Sequence, residues 1–189
     1  MSETEVSMIT SDLPPKPESE NKPNTIRDIV IAIILGALLF LVFQFFFQFY
    51  QVSGPSMNNT LFNEQRVLVL KTSKNPSRGD VIIFHPPNNP SDLYIKRVIG
   101  LPGDVISIQN GIVYVNNLAL HEPYAIAITG VNMAAVLVGE REYFVLGDNR
   151  PVSQDSRSIG CIPQSNIIGK ALFIFLPVSD WGNRVTYKP

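Results

Sequence analysis

The chain of 189 residues is poor in cysteine, in histidine and in any surplus of charge. It has one Cys, two His, and 15 Lys and Arg against 16 Asp and Glu, for a formal net charge of −1. The single Cys161 cannot close an internal disulfide, so the fold must stand without staples. His85 and His121 share no metal-ligand spacing with each other or with Cys161, which argues against a zinc site. Lys and Arg form no cluster able to neutralise phosphates, so nucleic acid is not an expected partner. No phosphate-loop pattern and no internal repeat occur. The length suits one well-buried domain plus attachments.

What is present divides into three regions. Residues 1–25 set Pro14, Pro15, Pro17 and Pro23 among Ser, Glu, Lys and Asn. Such a stretch buries too little apolar surface to offset its ordering entropy, and a disordered tail is expected over 1–28. From Ile29 to Tyr50, IVIAIILGALLFLVFQFFFQFY, 22 residues pass without a charge. A membrane-spanning helix needs about 20, and soluble core helices rarely go so long without a charged face. The stretch exceeds the roughly 7–15 apolar residues of a cleavable signal peptide and begins late. A single span over 29–50 is therefore expected, with the lipid bilayer as a partner. Lys16, Lys22 and Arg27 precede it, and no Lys or Arg follows until Arg66. That asymmetry places the tail in the cytoplasm and residues 51–189 on the exported side.

The exported region reads as short β-rich runs: RVLVL at 66–70, DVIIF at 80–84, YIKRVI at 94–99 and KALFIF at 170–175. VISIQ and IVYVN flank Asn110-Gly111, a strong hairpin signal. The fold class expected is mainly β, built of antiparallel sheet. Residues 105–146 are expected to make only a small cap containing that hairpin.

Three segments could carry chemistry. In SGPSMNNTLF, 53–62, Gly54 and Pro55 turn the chain before Ser56, and the apolar Met57 follows. Ser56 is either an ordinary loop serine or a hydroxyl presented on a turn beside free backbone N–H groups. It lies six residues past Tyr50, so an extended chain keeps it within roughly 20 Å of the span's end. In YIKRVIGLPGD, 94–104, strand alternation puts Tyr94, Lys96 and Val98 on one face and Ile95, Arg97 and Ile99 on the other. The cations are either snorkelling edge residues, or one of them is buried and neutral. Only Lys96 could be a base, because guanidinium stays protonated. In GDNRPVSQDSRSIG, 147–160, Asp148, Arg150, Asp155 and Arg157 alternate with small hydroxyl residues, which suits a pinned turn bordering a site.

Together these segments and RGDVIIF at 78–84 resemble the type I signal peptidase family, whose boxes they match in order downstream of one N-terminal span. The resemblance implies a Ser–Lys serine protease without cofactor or metal. In it Ser56 is the nucleophile, Lys96 the general base, and Ser153 the hydroxyl that holds the lysine amine. Gly54, Pro55, Met57, Asp148, Asn149, Arg150, Asp155 and Arg157 match positions that shape the site and its oxyanion hole. Two positions depart from the family pattern. Asn59 replaces the usual proline of Ser-Met-x-Pro-Thr-Leu, and Gly54 stands where some members carry a serine that assists the oxyanion hole.

The implied activity is removal of signal peptides from exported preproteins after Ala-x-Ala-type sites, by a monomer in the plasma or another energy-transducing membrane. A self-cleaving repressor of Ser–Lys type is disfavoured by the span and by the lack of a DNA-binding region. A catalytically silent, membrane-tethered β domain that binds exported segments is the alternative from another class.

Overall fold

The structure is a computed structural model and describes residues 25–187. Of the tail expected over 1–28, residues 1–24 lie outside the described residues, and 25–28 are helical. Helix α1 spans Thr25–Phe46, with Asp28 complementing the dipole in its first turn. None of its side chains is buried, and it is long and apolar enough to cross a bilayer. The helix overlaps the span expected over 29–50, beginning earlier and stopping at Phe46. The chain then enters strand β1, Phe47–Gln51. The switch has two causes, both contacts with residues 66–71. The backbone N–H of Lys71 donates to the Phe46 carbonyl at 2.9 Å and its amine to the Gln44 carbonyl at 2.8 Å, satisfying end-of-helix acceptors. Phe47, Phe49 and Tyr50 are strong strand formers and pair antiparallel with strand β2, Arg66–Leu70.

The chain divides into two compact units, Met1–Phe40 and Leu41–Pro189, and all the sheet lies in the second. The remaining strands are β3 (Val81–Phe84), β4 (Tyr94–Gly100), β5 (Val105–Gln109), β6 (Ile112–Val115), β7 (Leu118–Ala119), β8 (Met133–Leu137), β9 (Glu142–Leu146), β10 (Ile162–Pro163) and β11 (Ile167–Leu176). A short helix, α2, covers Ser156–Ile159. Seven strands form one antiparallel sheet in the order β1-β2-β11-β3-β4-β9-β10, and four form another in the order β7-β6-β5-β8. The mainly β, antiparallel class expected from the sequence is the one observed.

The β5–β6 hairpin turns at Asn110-Gly111, with φ of 49° and 84°, the left-handed pair that a type I′ turn requires. Within 105–146, β7 and β8 flank that hairpin on its two sides in the four-stranded sheet. Strand β8, MAAVL, has a mostly exposed face pattern without alternation, so its sequence carries no period-2 signal.

Apolar side chains gather into three clusters. One joins β2, β3 and β11 to Val52, Met57 and Leu61 of the serine-bearing loop. A second joins the cap to Ile99, Phe144 and Leu146. The third includes Ile82, Val98, Val145 and Ile167. The first cluster matters most for the site, since it nails the loop on both sides of residues 58–60.

Candidate active site

Ser56 sits on a compact turn. Pro55 accepts from the Asn58 amide at 3.0 Å, and Met57 accepts from Thr60 and Leu61 at 3.0 and 2.8 Å. Met57 and Leu61 are fully buried, so their side chains anchor the turn while Ser56 stays half-exposed. Gly54 precedes it at φ 83°, a backbone region glycine enters without strain. Its N–H donates to the Asn63 side chain at 2.9 Å. A β-carbon at Gly54 would meet nothing within 4 Å, so conformation rather than space accounts for glycine in place of serine. Among the described residues the Ser56 amide has no protein acceptor, which leaves it able to donate to an oxyanion.

Strand β4 delivers the other partner. Register with β3 pairs Lys96 with Ile82, and the side chain runs into the interior with 4 % of its surface exposed. Its Nζ lies 2.6 Å from Ser56 Oγ and donates to the Ile95 carbonyl at 3.0 Å. The Tyr94 ring centroid is 5.4 Å away. Burial strips water from the ammonium and lowers its pKa from 10.5 to about 8, against the opposing pull of Asp155 and Asp148. A weakly basic amine held against a hydroxyl is the arrangement that activates a serine.

Arg97, on the opposite face of β4, is buried too, with 1 % exposure. It forms a fork with Asp148, Nε to Oδ1 at 2.8 Å and Nη2 to Oδ2 at 2.6 Å. Its remaining donors go to the Gly79 and Val185 carbonyls and to Thr60 Oγ1, at 2.8, 3.0 and 3.1 Å. Neither sequence reading of the two cations anticipated burial of both. The signal missed was the acid 51 residues downstream that satisfies the guanidinium.

The loop after β9 contributes the rest. Asn149 donates through its backbone to the Ser56 carbonyl at 3.0 Å and through Nδ2 to the Pro55 carbonyl at 3.1 Å. Asp155 is fully buried, accepts from the Gly147 amide at 3.0 Å, and is forked by Arg157 with two bonds of 2.8 Å. Arg150 donates from Nε to the Gly147 carbonyl at 3.0 Å. Gly147 is fixed by close approach: an added β-carbon would lie 2.2 Å from Ser153 Oγ and 2.5 Å from the Ser56 carbonyl.

Ser153 departs from its implied role. Its Oγ is buried and has no hydrogen-bond partner among the described residues, while the Lys96 amine spends its contacts on Ser56 and the Ile95 carbonyl. The hydroxyl borders the site, packed against Gly147, without holding the lysine in this arrangement.

A cleft of about 410 Å³ opens beside Ser56 and Lys96. Its walls include Val52, Val67, Ile83, Leu93, Ile95 and Val152, with Tyr94 and Gln154 bridged at 2.9 Å from Oη to Oε1. Among the described residues, no group of three or more His, Cys, Asp or Glu side chains is placed to hold a metal ion.

Asn59 has φ 88° and donates from Nδ2 to the Tyr124 carbonyl at 2.9 Å. Proline is locked near −65° and has no such donor. Restoring the family's proline by Asn59→Pro is therefore expected to lower stability by more than about 1 kcal/mol and to slow turnover. Thermal melts and initial rates side by side check this; an equally stable and active variant would refute it.

A sequence model described as "Signal peptidase, peptidase S26" matches residues 24–176. The probable signal peptidase I-1 of Synechocystis sp. is 39% identical over 168 residues, 83% of this chain and 86% of that protein. Signal peptidase I of Bacillus licheniformis is 35% identical over 179 residues, 86% and 95% of the two chains. Signal peptidase IB of Staphylococcus aureus is 35% identical over 182 residues, 85% and 94% respectively.

Proposed function

This chain belongs to the signal peptidase family, peptidase S26, and from that premise we propose that it is a membrane-anchored endopeptidase removing N-terminal signal peptides from exported preproteins. The observation that carries the reading is the 2.6 Å approach of a buried, weakly basic Lys96 amine to Ser56 Oγ. Neutral Lys96 takes the Ser56 proton as Oγ bonds to the carbonyl carbon of the signal peptide's last residue. The Ser56 N–H donates to the oxygen as it gains charge. The C–N bond then breaks, the Lys96 ammonium returns its proton to the leaving amine, and the mature protein departs. Water, deprotonated by the same lysine, cleaves the acyl ester, freeing the signal peptide's carboxylate and restoring Ser56.

The aliphatic cleft suits the small side chains of an Ala-x-Ala site. Helix α1 is proposed as the anchor in the plasma or another energy-transducing membrane, with the basic flank at Arg27 cytoplasmic. A signal peptide's apolar segment also occupies the bilayer, so tethering raises its effective concentration at the site.

The test uses detergent-solubilised full-length protein, wild type beside Ser56→Ala, with a preprotein carrying an Ala-x-Ala site over pH 6 to 9. Wild type is expected to cut after the final alanine and Ser56→Ala not to cut. Because the neutral amine is the base, the rate should fall roughly tenfold per pH unit below about 8 and level off above it. A flat profile, or cleavage by Ser56→Ala, would count against the assignment. A folded wild type that binds the preprotein without cutting would leave the silent-binder reading.

A further inference from the structure

Residues 122–126 carry no motif, yet they tie together the two loops that meet at Ser56. The Glu122 carboxylate grips Arg150 twice, Oε2 to Nη1 at 3.0 Å and Oε1 to Nη2 at 2.6 Å. Both side chains are nearly removed from water, with 10 % and 4 % exposure. Held by that fork, Arg150 turns its Nε to the Gly147 carbonyl. The Tyr124 hydroxyl adds a third bond to Glu122 Oε1 at 3.0 Å. Burial first, and then the Glu122 carboxylate, push the Tyr124 phenol well above its ordinary pKa, so it remains a donor.

The same segment touches the serine loop from its other side, through the bond from Asn59 to the Tyr124 carbonyl. Ile126 continues as a parallel bridge to Asn149, donating to the Asp148 carbonyl at 2.7 Å and accepting from the Arg150 amide at 3.3 Å. Asn149 in turn holds the Ser56 carbonyl. Contacts on both sides of the nucleophile's turn thus lead back to one segment.

We propose that residues 122–126 are a positioning strap for the nucleophile, with Glu122 acting through Arg150 on the Gly147–Asn149 backbone and the Tyr124 carbonyl acting through Asn59. The physical need is plain. Ser56 sits on a loop while Lys96 sits on a strand, and a displacement of about 1 Å between reacting groups can cost on the order of a hundredfold in rate. A planar guanidinium fork between buried partners resists such displacement better than single bonds do. Glu122 touches no reacting atom, so it is a positioning residue.

The inference rests on the proposed peptidase activity, so wild type and Ser56→Ala are assayed in parallel. Full-length Glu122→Gln keeps the side-chain shape but loses the charge and one acceptor. Asn59→Asp keeps tolerance of positive φ and removes the donor at an exposed position. Active sites are counted by the endpoint of covalent labelling of Ser56 with a serine-directed acylating reagent. Per labelled site, Glu122→Gln is expected to lose at least about tenfold in kcat, with KM within about twofold, and Asn59→Asp at least about threefold with an unchanged melting temperature.

A merely structural role would lower the labelled fraction and the melting temperature while leaving kcat per site alone, and that result overturns the strap. Losses confined to KM overturn it as well. Should Glu122→Gln fail to fold, Asn59→Asp decides by the same criterion. An inactive wild type brings down the activity and the strap together, whereas an active wild type with both variants at full kcat brings down the strap alone.

Discussion

Lys96→Met is expected to abolish turnover and to make the protein more stable at neutral pH. Burial lowers the amine's pKa from 10.5 to about 8, and each unit corresponds to about 1.4 kcal/mol. Keeping that amine charged in the fold at pH 7 therefore costs roughly 3 kcal/mol. The folded value lies below the unfolded one, so between pH 8 and 10.5 the unfolded chain binds the proton that the folded chain has lost. Wild-type stability should rise with pH through that window, and the penalty is fully present below it. Methionine has similar length and no charge, so it removes the penalty. The melting temperature at pH 7 should rise by several degrees, at about 2–4 °C per kcal/mol for a chain of this size.

The gain should shrink toward pH 10.5. Turnover should drop by a factor on the order of 10⁴ or more, as when a member of a proton-transfer pair is removed. Lys96→Arg should be equally inactive, because guanidinium cannot accept the proton. Melts of the three proteins at pH 7 and pH 10 check this. An inactive Lys96→Met with no stability gain at pH 7 would mean that burial of Lys96 is not costly, and the weak-base argument would fail.

Asp148→Ala is expected to be the most damaging single change to the fold. Asp148 is fully buried and is the only carboxylate bonded to the equally buried Arg97 among the described residues. Truncation leaves an uncompensated guanidinium, a loss of about 3–5 kcal/mol against a typical total of about 5–15 kcal/mol. The same change frees the strand-to-loop contact beside Gly147, so turnover should fall with the folded fraction. The double variant Arg97→Met, Asp148→Asn should recover part of the loss, since no unpaired charge remains. Denaturant unfolding of the single and double variants measures the coupling. A loss below about 1 kcal/mol for Asp148→Ala would show that water reaches the guanidinium and that the pair is not buried in solution.

These two residues mark where local reading ends. Short β-rich runs between turn residues placed β2 at 66–70 and β5 at 105–109 on the residues where they are found, and Asn110-Gly111 marked the hairpin of β5. Each of those signals lies within a few neighbouring residues, because pleat and turn geometry depend only on near neighbours. The apolar run did not reveal that the helix stops at Phe46, since Phe47–Tyr50 hold no charge, Gly or Pro that would end it. Pairing with β2 decides it. The motifs singled out Ser56 and Lys96, and strand alternation put Lys96 and Arg97 on opposite faces. Alternation could not say that both faces would be buried, nor that Asp148 would meet the second.

Composition, the uncharged run and the ordered motifs by themselves determined the class, the apolar helix and the candidate residues. Only the tertiary structure decided that Ser153 Oγ stands unpartnered among the described residues, that Asn59 takes a conformation proline cannot adopt, and that Glu122 grips Arg150 across 28 residues. The reason is physical: these contacts join segments far apart in the chain, and their strength comes from burial and shape, which no local period encodes.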